Sequence, residues 1–238
     1  MPRRRDTAGV LLLLIHILFK VGLVNIPPVT LRTVILLSCI YMHVVDLPWA
    51  TPLEVCVGVE PVVFKDEWWR IFCGPLEHAD SLHLYCNMVS FIWKGTILET
   101  ELGSRTFMYV LCAFTVLTGL MFVLLEYICG VFIDKGHFDR CAVGFSSVVF
   151  SLKVLNNHYF PGKTPRILNI DLALPSGYVV WVELVVNQII SPNSSFIGHL
   201  SGILIGLLFV YFIEPMFDAS ANMWMRRLSR SRSSTSED

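Results

Sequence analysis

Two side chains suited to serine-hydrolase chemistry lie within apolar stretches of this sequence. Ser146 stands in "CAVGFSSVVFSLKVLNN" (141–157), and His199 stands in "GHLSGILIG" (198–206). A serine hydroxyl is a weak nucleophile until a base removes its proton, and an adjacent histidine is a common base. No aspartate or glutamate lies at the depth of His199, so the pattern predicts a Ser–His dyad whose imidazole is oriented by packing.

Further residues are expected to support this chemistry. Phe150 comes four residues after Ser146, so it shares a helix face with the serine and can orient the imidazole by stacking. His83 and Asn87 are also four apart on one predicted helix. Their donors suit a developing oxyanion, together with the backbone N–H of Ser146. Gly144 precedes the serine in a Gly-x-Ser pattern, which we expect to lie inside a membrane helix.

A row of small residues predicts close contact between the helices that carry the dyad. Gly198, Gly202 and Gly206 are spaced by four, and Ser147 and Ser151 offer a matching small face beside Ser146. Such spacing lets two helix backbones approach closely in a membrane. Because His199 directly follows the first glycine, the same contact is expected to bring the imidazole to the serine.

The composition is that of a membrane protein. The chain has 238 residues, of which 54% are hydrophobic and 16% charged, and its mean hydropathy is +0.62. The polarity is concentrated near one face and does not form a pathway across the bilayer, which disfavours a channel or transporter. The absence of H-E-x-x-H and of paired intramembrane aspartates disfavours metalloprotease and aspartyl chemistries. We expect no metal, no cofactor and no nucleic-acid partner.

Apolar segments predict six spans and one further helix. The spans are placed at 28–46, 79–98, 106–128, 141–160, 177–190 and 195–214. Arginines cluster at 3–5 and 226–232, and by the positive-inside rule both termini are cytosolic, which requires an even number of crossings. The apolar segment 9–24 would make a seventh crossing, so it is predicted to be an interfacial or partly buried helix.

This topology brings the candidate residues to one depth. The second, fourth and sixth spans all enter from the lumenal side, and in each the polar residue lies roughly 5 to 12 Å from that entry. His83, Ser146 and His199 are therefore expected to converge, as a catalytic site requires.

The chain is divided into three parts. Residues 1–24 form the cytosolic N-terminus and interfacial helix, 25–217 the membrane domain, and 218–238 a polar, disordered cytosolic tail. Cys56 and Cys73 share the first lumenal loop, where they form either a disulfide or two free thiols.

The motifs taken together resemble those of the rhomboid family of intramembrane serine proteases. The resemblance extends over about residues 25–214 and rests on "PVT", "WR", "HLYCN", "LGSRTF", "GFSS" and "GHLSGILIG", in that order. It implies an all-α bundle of six transmembrane helices, with Ser146 as nucleophile, His199 as general base, and His83 and Asn87 at the oxyanion. It also implies substrates that are transmembrane proteins, cut in or near the lipid bilayer.

The wording of "WKG", "CAVGFS" and "LKVLNNHY" is most similar to the family's animal branch in the endoplasmic reticulum. This implies a multi-pass protein of that membrane with a part in the degradation of unstable membrane proteins. Relatives of this branch carry ubiquitin-binding and segregase-binding elements in the tail, which 218–238 lacks, so that recruitment is not predicted. The family has a glycine where this chain has Ser147, and a catalytically weak or inactive protein that binds membrane clients and hands them on therefore stays open as the alternative.

Overall fold

The protein is mostly helical in the computed structural model, which describes residues 6–45, 47–49, 51–160, 176–192 and 194–213. The α-helices are α1 (Ala8–His16), α2 (Pro28–Tyr41), α3 (Arg70–Cys73), α4 (Ser81–Leu102), α5 (Ser104–Phe132), α6 (Ser146–Tyr159), α7 (Ser176–Ile190) and α8 (Phe196–Leu208). π-helical turns at Ile17–Val21 and Phe209–Ile213 extend α1 and α8. Two antiparallel strands, β1 (Val57–Gly58) and β2 (Cys141–Ala142), are the exception to an all-α fold within the described residues.

Two helices of the described part are long and apolar enough to cross a bilayer. They are Ser104–Phe132 and Phe196–Ile213, which correspond to the predicted third and sixth spans. Ala8–Val21, Pro28–Tyr41 and Gly177–Ile190 are shorter apolar helices. The predicted fourth span, 141–160, is wrong at its start, because its first two residues are strand β2 and the helix begins only at Ser146. The predicted tail, 218–238, and most of the loop before α7 lie outside the described residues.

Helix α1 packs lengthwise on α4, as the partly buried alternative for this segment would. A Cβ on Gly9 would overlap the carbonyl oxygen of Ser81, so the two helices touch at their first turns. The Ser81 hydroxyl also donates to the carboxylate of Asp6 at 2.8 Å. Further along, the rings of His16 and Tyr85 lie 6.3 Å apart, edge to face. Helix α1 therefore runs parallel to α4, from the end at which α4 begins.

Helix α2 runs antiparallel to α4 and is fixed at both ends. Glu99, near the end of α4, accepts hydrogen bonds from the Val29 N–H (2.8 Å) and from the Thr30 N–H (2.7 Å) and hydroxyl (2.8 Å). At the other end of α2, the Tyr41 hydroxyl donates to the backbone carbonyl of Asp6 at 3.2 Å. These bonds satisfy orphan N–H groups of the first turn of α2 with a buried carboxylate. They hold α1, α2 and α4 in one layer.

The first loop is joined covalently to the segment before α6. Val57 and Gly58 pair with Ala142 and Cys141, and Cys56 forms a disulfide with Cys141. The sequence predicted either a Cys56–Cys73 disulfide or two free thiols, and neither alternative holds in full. Cys56 is in a disulfide with a different partner, and Cys73 is a free thiol. Burial raises the pKa of the Cys73 thiol, which keeps it protonated and slow to exchange with the disulfide.

Candidate active site

Ser146 is the first residue of α6 and does not lie within a longer helix. Gly144 has φ of +122°, a conformation that glycine adopts readily, and this breaks the chain direction two residues before the serine. The Gly144 N–H donates to the Gly74 carbonyl at 3.1 Å, which holds the break against the first loop. The prediction that Gly144 and Ser146 lie inside a helix is therefore wrong. At a helix start, backbone N–H groups without intrahelical partners and the positive end of the helix dipole both favour a nearby negative charge.

His199 lies on α8 against the α6 face that carries the serine. Its side chain is 1% exposed, and its ring stacks on Phe150 with centroids 4.8 Å apart and an angle of 28° between the planes. This confirms the expected stacking. Since Phe150 is one helical turn after Ser146, the stack holds the imidazole beside α6 at the depth of the serine.

The imidazole has a second contact, which the sequence analysis missed. The amide Nδ2 of Asn187, on α7, lies 3.3 Å from His199 Nδ1. An asparagine in a mostly apolar segment was a visible signal, because α7 ends where α8 begins and its last turns reach the same depth. The contact is made at Nδ1, so Asn187 influences which of the two ring nitrogens carries the proton.

His83 and Asn87 lie together across from Gly144. A Cβ on Gly144 would stand 2.8 Å from His83 Cε1 and 3.8 Å from Asn87 Nδ2. The buried atoms His83 Nε2 and Asn87 Nδ2 have no hydrogen-bond partner within the described part of the chain. Two unpaired polar atoms beside the serine are costly in a resting protein. They are placed to bind an oxygen atom that enters the site.

A small cavity opens onto these residues. Its lining includes His83, Gly144, Ser146, Ser147 and Gly198, and its volume is about 40 Å³. That is room for about two or three water molecules, given polar partners. Hydrolysis at this depth requires water, and the cavity provides space for it directly beside the serine.

Helix α6 packs closely on α8, as the small-residue pattern predicted. A Cβ on Gly202 would overlap the carbonyl oxygen of Ser147, and one on Gly206 would stand 2.7 Å from Val154 Cβ and 3.0 Å from the Ser151 carbonyl oxygen. The Ser151 hydroxyl donates to the Gly202 carbonyl at 2.8 Å. At Gly198 the nearest atoms are 3.3 Å away, in Ser195, so this glycine faces more open space.

An ion pair lies on the other side of Phe150 along α6. Lys153 Nζ is 3.3 Å from Glu183 Oε2, which joins α6 to α7, and 4.1 Å from the centre of the Phe150 ring. Charged groups at membrane depth are normally paired and shielded in this way. The pair is a structural link between α6 and α7, and it borders the stack that carries His199.

Comparison with known proteins identifies the family of the chain. The model of the rhomboid domain matches residues 65–215, which include Ser146, His199, His83 and Asn87. The chain belongs to the rhomboid family. Its membership confirms the resemblance seen in the sequence and, with the long apolar helices, makes it a multi-pass membrane protein.

Among its rhomboid relatives is rhomboid-related protein 4 of Homo sapiens, which is 47% identical over 208 residues. The same-named protein of Mus musculus is 43% identical over 227 residues. A more distant relative, rhomboid-type serine protease 2 of Eremothecium gossypii, is 25% identical over 173 residues. These alignments cover 87%, 93% and 72% of this chain, but only 64%, 70% and 64% of the respective relatives. The chain thus spans about two thirds of the length of these rhomboids.

Proposed function

We propose that this rhomboid-family chain is an intramembrane serine endopeptidase that cleaves transmembrane proteins within or near the bilayer. The observation that supports the proposal most is the stack of His199 on Phe150, one turn after Ser146. It supports His199 as the base for Ser146, which lines a cavity together with His83, whose Nε2 is buried and has no partner among the described residues. Its relatives include proteins named as rhomboid-type serine proteases.

The proposed reaction gives each of these residues a role. Ser146 Oγ attacks the scissile carbonyl carbon while its proton passes to His199 Nε2. The carbonyl oxygen becomes an oxyanion, which His83, Asn87 and the N–H groups at the start of α6 stabilise. His199 then gives the proton to the leaving amine, the C–N bond breaks, and an acyl-enzyme on Ser146 remains. Water from the cavity hydrolyses the ester with His199 again as base, which restores the serine.

The membrane arrangement is part of the proposal. Helices α2, α4, α5, α6, α7 and α8 form the six crossings, and the beginning of α2 lies beside Glu99, near the end of α4 that is distant from His83. We place that end in the cytosol because of the positive charges in its connections, and the catalytic end in the lumen. Helix α1 begins at the catalytic end, where Asp6 accepts from Ser81, and runs along α4 toward the opposite end.

We further propose that the substrates are unstable proteins of the endoplasmic-reticulum membrane, removed in endoplasmic-reticulum-associated degradation. This rests on the similarity to the rhomboid-related protein 4 sequences. It predicts that an unstable single-span protein expressed in the same membrane is degraded more slowly when Ser146→Ala replaces the wild type. An equal half-life with both proteins would refute the degradation role without affecting the protease assignment.

A reconstituted cleavage assay tests the protease function. The protein is placed in liposomes with a fluorescent single-span reporter, and wild type is compared with Ser146→Ala and His199→Ala. Each variant should lose about 10³-fold or more in kcat, because residues of a catalytic pair act as a unit. Ser90→Ala, a change of a serine on α4, is the matched control and should cleave like wild type. Equal cleavage by wild type and Ser146→Ala would contradict the proposal.

The alternative of a non-catalytic client binder is tested at Ser147. Its hydroxyl lies at the rim of the cavity beside the nucleophile, where the family pattern has a glycine. We expect Ser147→Gly to change the rate by less than about 10-fold, because serine is small and lies on the helix without blocking the Gly202 contact. A silent wild type together with an active Ser147→Gly variant would favour the binder.

A further inference from the structure

We propose that Asn187 is a positioning residue that fixes the proton of His199, so that the catalytic centre works as a Ser–His–Asn unit. The inference rests on the proposed protease function and deepens it. Asn187 lies on α7, a helix that carries neither member of the dyad, and its amide is 3.3 Å from His199 Nδ1. The sequence predicted an imidazole held by packing alone, whereas the structure adds a directional polar contact.

The chemistry requires control of the tautomer. A neutral imidazole carries its proton on one nitrogen, and only an unprotonated Nε2 can accept the proton of Ser146. With Asn187 Nδ2 facing Nδ1, the ring would carry the proton on Nε2 and could not act as base. A half-turn of the amide exchanges the two ends of the group and presents Oδ1 to Nδ1–H. This arrangement leaves the Nε2 lone pair for Ser146 and stabilises the imidazolium that forms.

The position of Asn187 in α7 favours such a role over chance polarity. Val180, Leu184 and Asn187 lie on one stripe of the helix, and the first two are only 2% and 3% exposed. Asn187 is therefore the polar member of a stripe that otherwise packs into the core. Glu183, one turn earlier, is paired with Lys153 on α6. The ion pair sets the rotation of α7, and the rotation aims the amide at His199.

The kinetic test compares three variants in the liposome assay. Asn187→Leu removes the amide at similar volume and should lower kcat about 10²-fold with little change in KM, since a correctly protonated base contributes about 10²–10⁴-fold. Asn187→Asp keeps an acceptor toward Nδ1–H and should restore most of that loss. Gln188→Leu removes the adjacent amide, which donates to the Pro192 carbonyl outside the site, and should cleave like wild type.

A spectroscopic measurement gives a readout that does not depend on cleavage. The protein is labelled with ¹⁵N-histidine, and the signals of His199 are assigned from the spectrum of His199→Gln. We expect wild type to carry the ring proton on Nδ1, and Asn187→Leu to shift population to the Nε2–H tautomer.

The outcomes separate this inference from the proposed function. Cleavage by wild type but not by Ser146→Ala, combined with wild-type kcat in Asn187→Leu, would overturn the inference and leave the protease intact. An Nε2–H tautomer in wild type would overturn it as well. The inference would also be overturned if Asn187→Leu and Asn187→Asp lost kcat equally and lost thermal stability equally. If wild type and Ser146→Ala cleave equally, the protease proposal fails, and the tautomer spectrum alone then decides the role of Asn187.

Discussion

Replacing Gly202 by alanine will separate α6 from α8 and uncouple the dyad. The added Cβ would overlap the Ser147 carbonyl oxygen and stand 2.9 Å from Phe150 Cβ. Both are fixed parts of α6 and not movable side-chain ends, so a change of rotamer cannot relieve the overlap. Restoring an ordinary contact of about 3.5 Å to that oxygen requires the helices to part by roughly 1.4 Å.

That displacement occurs next to the residues proposed to carry out the reaction. Ser147 is next to the nucleophile, and Gly202 is one turn after His199 on α8. A misplacement of about 1 Å can lower a rate about 10²-fold, so we expect a loss of that order in kcat. Overpacking costs about 1–3 kcal/mol. At about 2–4 °C per kcal/mol for a chain of this size, the thermal midpoint should fall by roughly 2–12 °C.

A series of glycine variants provides the controls. Gly206→Ala, two turns from His199, meets Val154 and Ser151 at 2.7 and 3.0 Å and should cost stability with a smaller loss of kcat. Gly177→Ala, on α7, meets no atom of the described residues within 4 Å and reports the effect of alanine in a helix by itself. The measurements are cleavage in liposomes and thermal unfolding in detergent. A Gly202→Ala protein with wild-type kcat would refute the claim that this contact positions the dyad.

Two further predictions concern the scaffold. The disulfide closes a long loop (sequence separation 85) and should contribute about 2–4 kcal/mol to the free energy of unfolding. A reductant should therefore lower the thermal midpoint of wild type and of Cys73→Ser, but not that of the double variant Cys56→Ser/Cys141→Ser. A reductant effect in the double variant would contradict the pairing. Glu99→Gln should lower the free energy of unfolding by about 3 kcal/mol, since an amide nitrogen cannot accept the donors that the carboxylate binds. Glu60→Gln, which affects an exposed ion pair, should cost at most about 1 kcal/mol, and an equal cost for the two variants in denaturant unfolding would contradict the role of Glu99.

The residues that converge on the site could be predicted from topology. Alternate spans enter from the same side, so His83, Ser146 and His199 are expected at one depth before any packing is known. The stack of Phe150 on His199 was also within reach, because spacing by four fixes a helix face. Residue spacing within a helix and the alternation of spans across the membrane are sufficient to predict these two features.

Features that depend on packing between distant segments were not predictable in the same way. The break at Gly144 depends on its bond to Gly74 in the first loop, and an apolar run gives no sign of that bond. The Cys56–Cys141 disulfide joins segments whose proximity becomes evident only when β1 pairs with β2. The contact of Asn187 with His199 depends on the rotation of α7, which spacing within α7 cannot define.

The packing of α1 shows the limit of a charge rule. Arginines at 3–5 argued against a seventh crossing at 9–24, but the rule does not include contacts between helices, so the choice between an interfacial and a partly buried helix stayed open. The absence of a side chain at Gly9 allows α1 to touch the backbone of α4 at Ser81. Val10, Leu13 and Ile17 are buried as a result, each at most 5% exposed.

Activation of Ser146 by His199 can be tested by mapping the site of a covalent serine label. The protein in liposomes is treated with a fluorophosphonate, digested, and analysed by peptide mass spectrometry. We expect a single adduct, on Ser146. It should form at least about 10²-fold more slowly in His199→Ala than in wild type. An adduct on another serine, or labelling of Ser146 at an unchanged rate without His199, would contradict it.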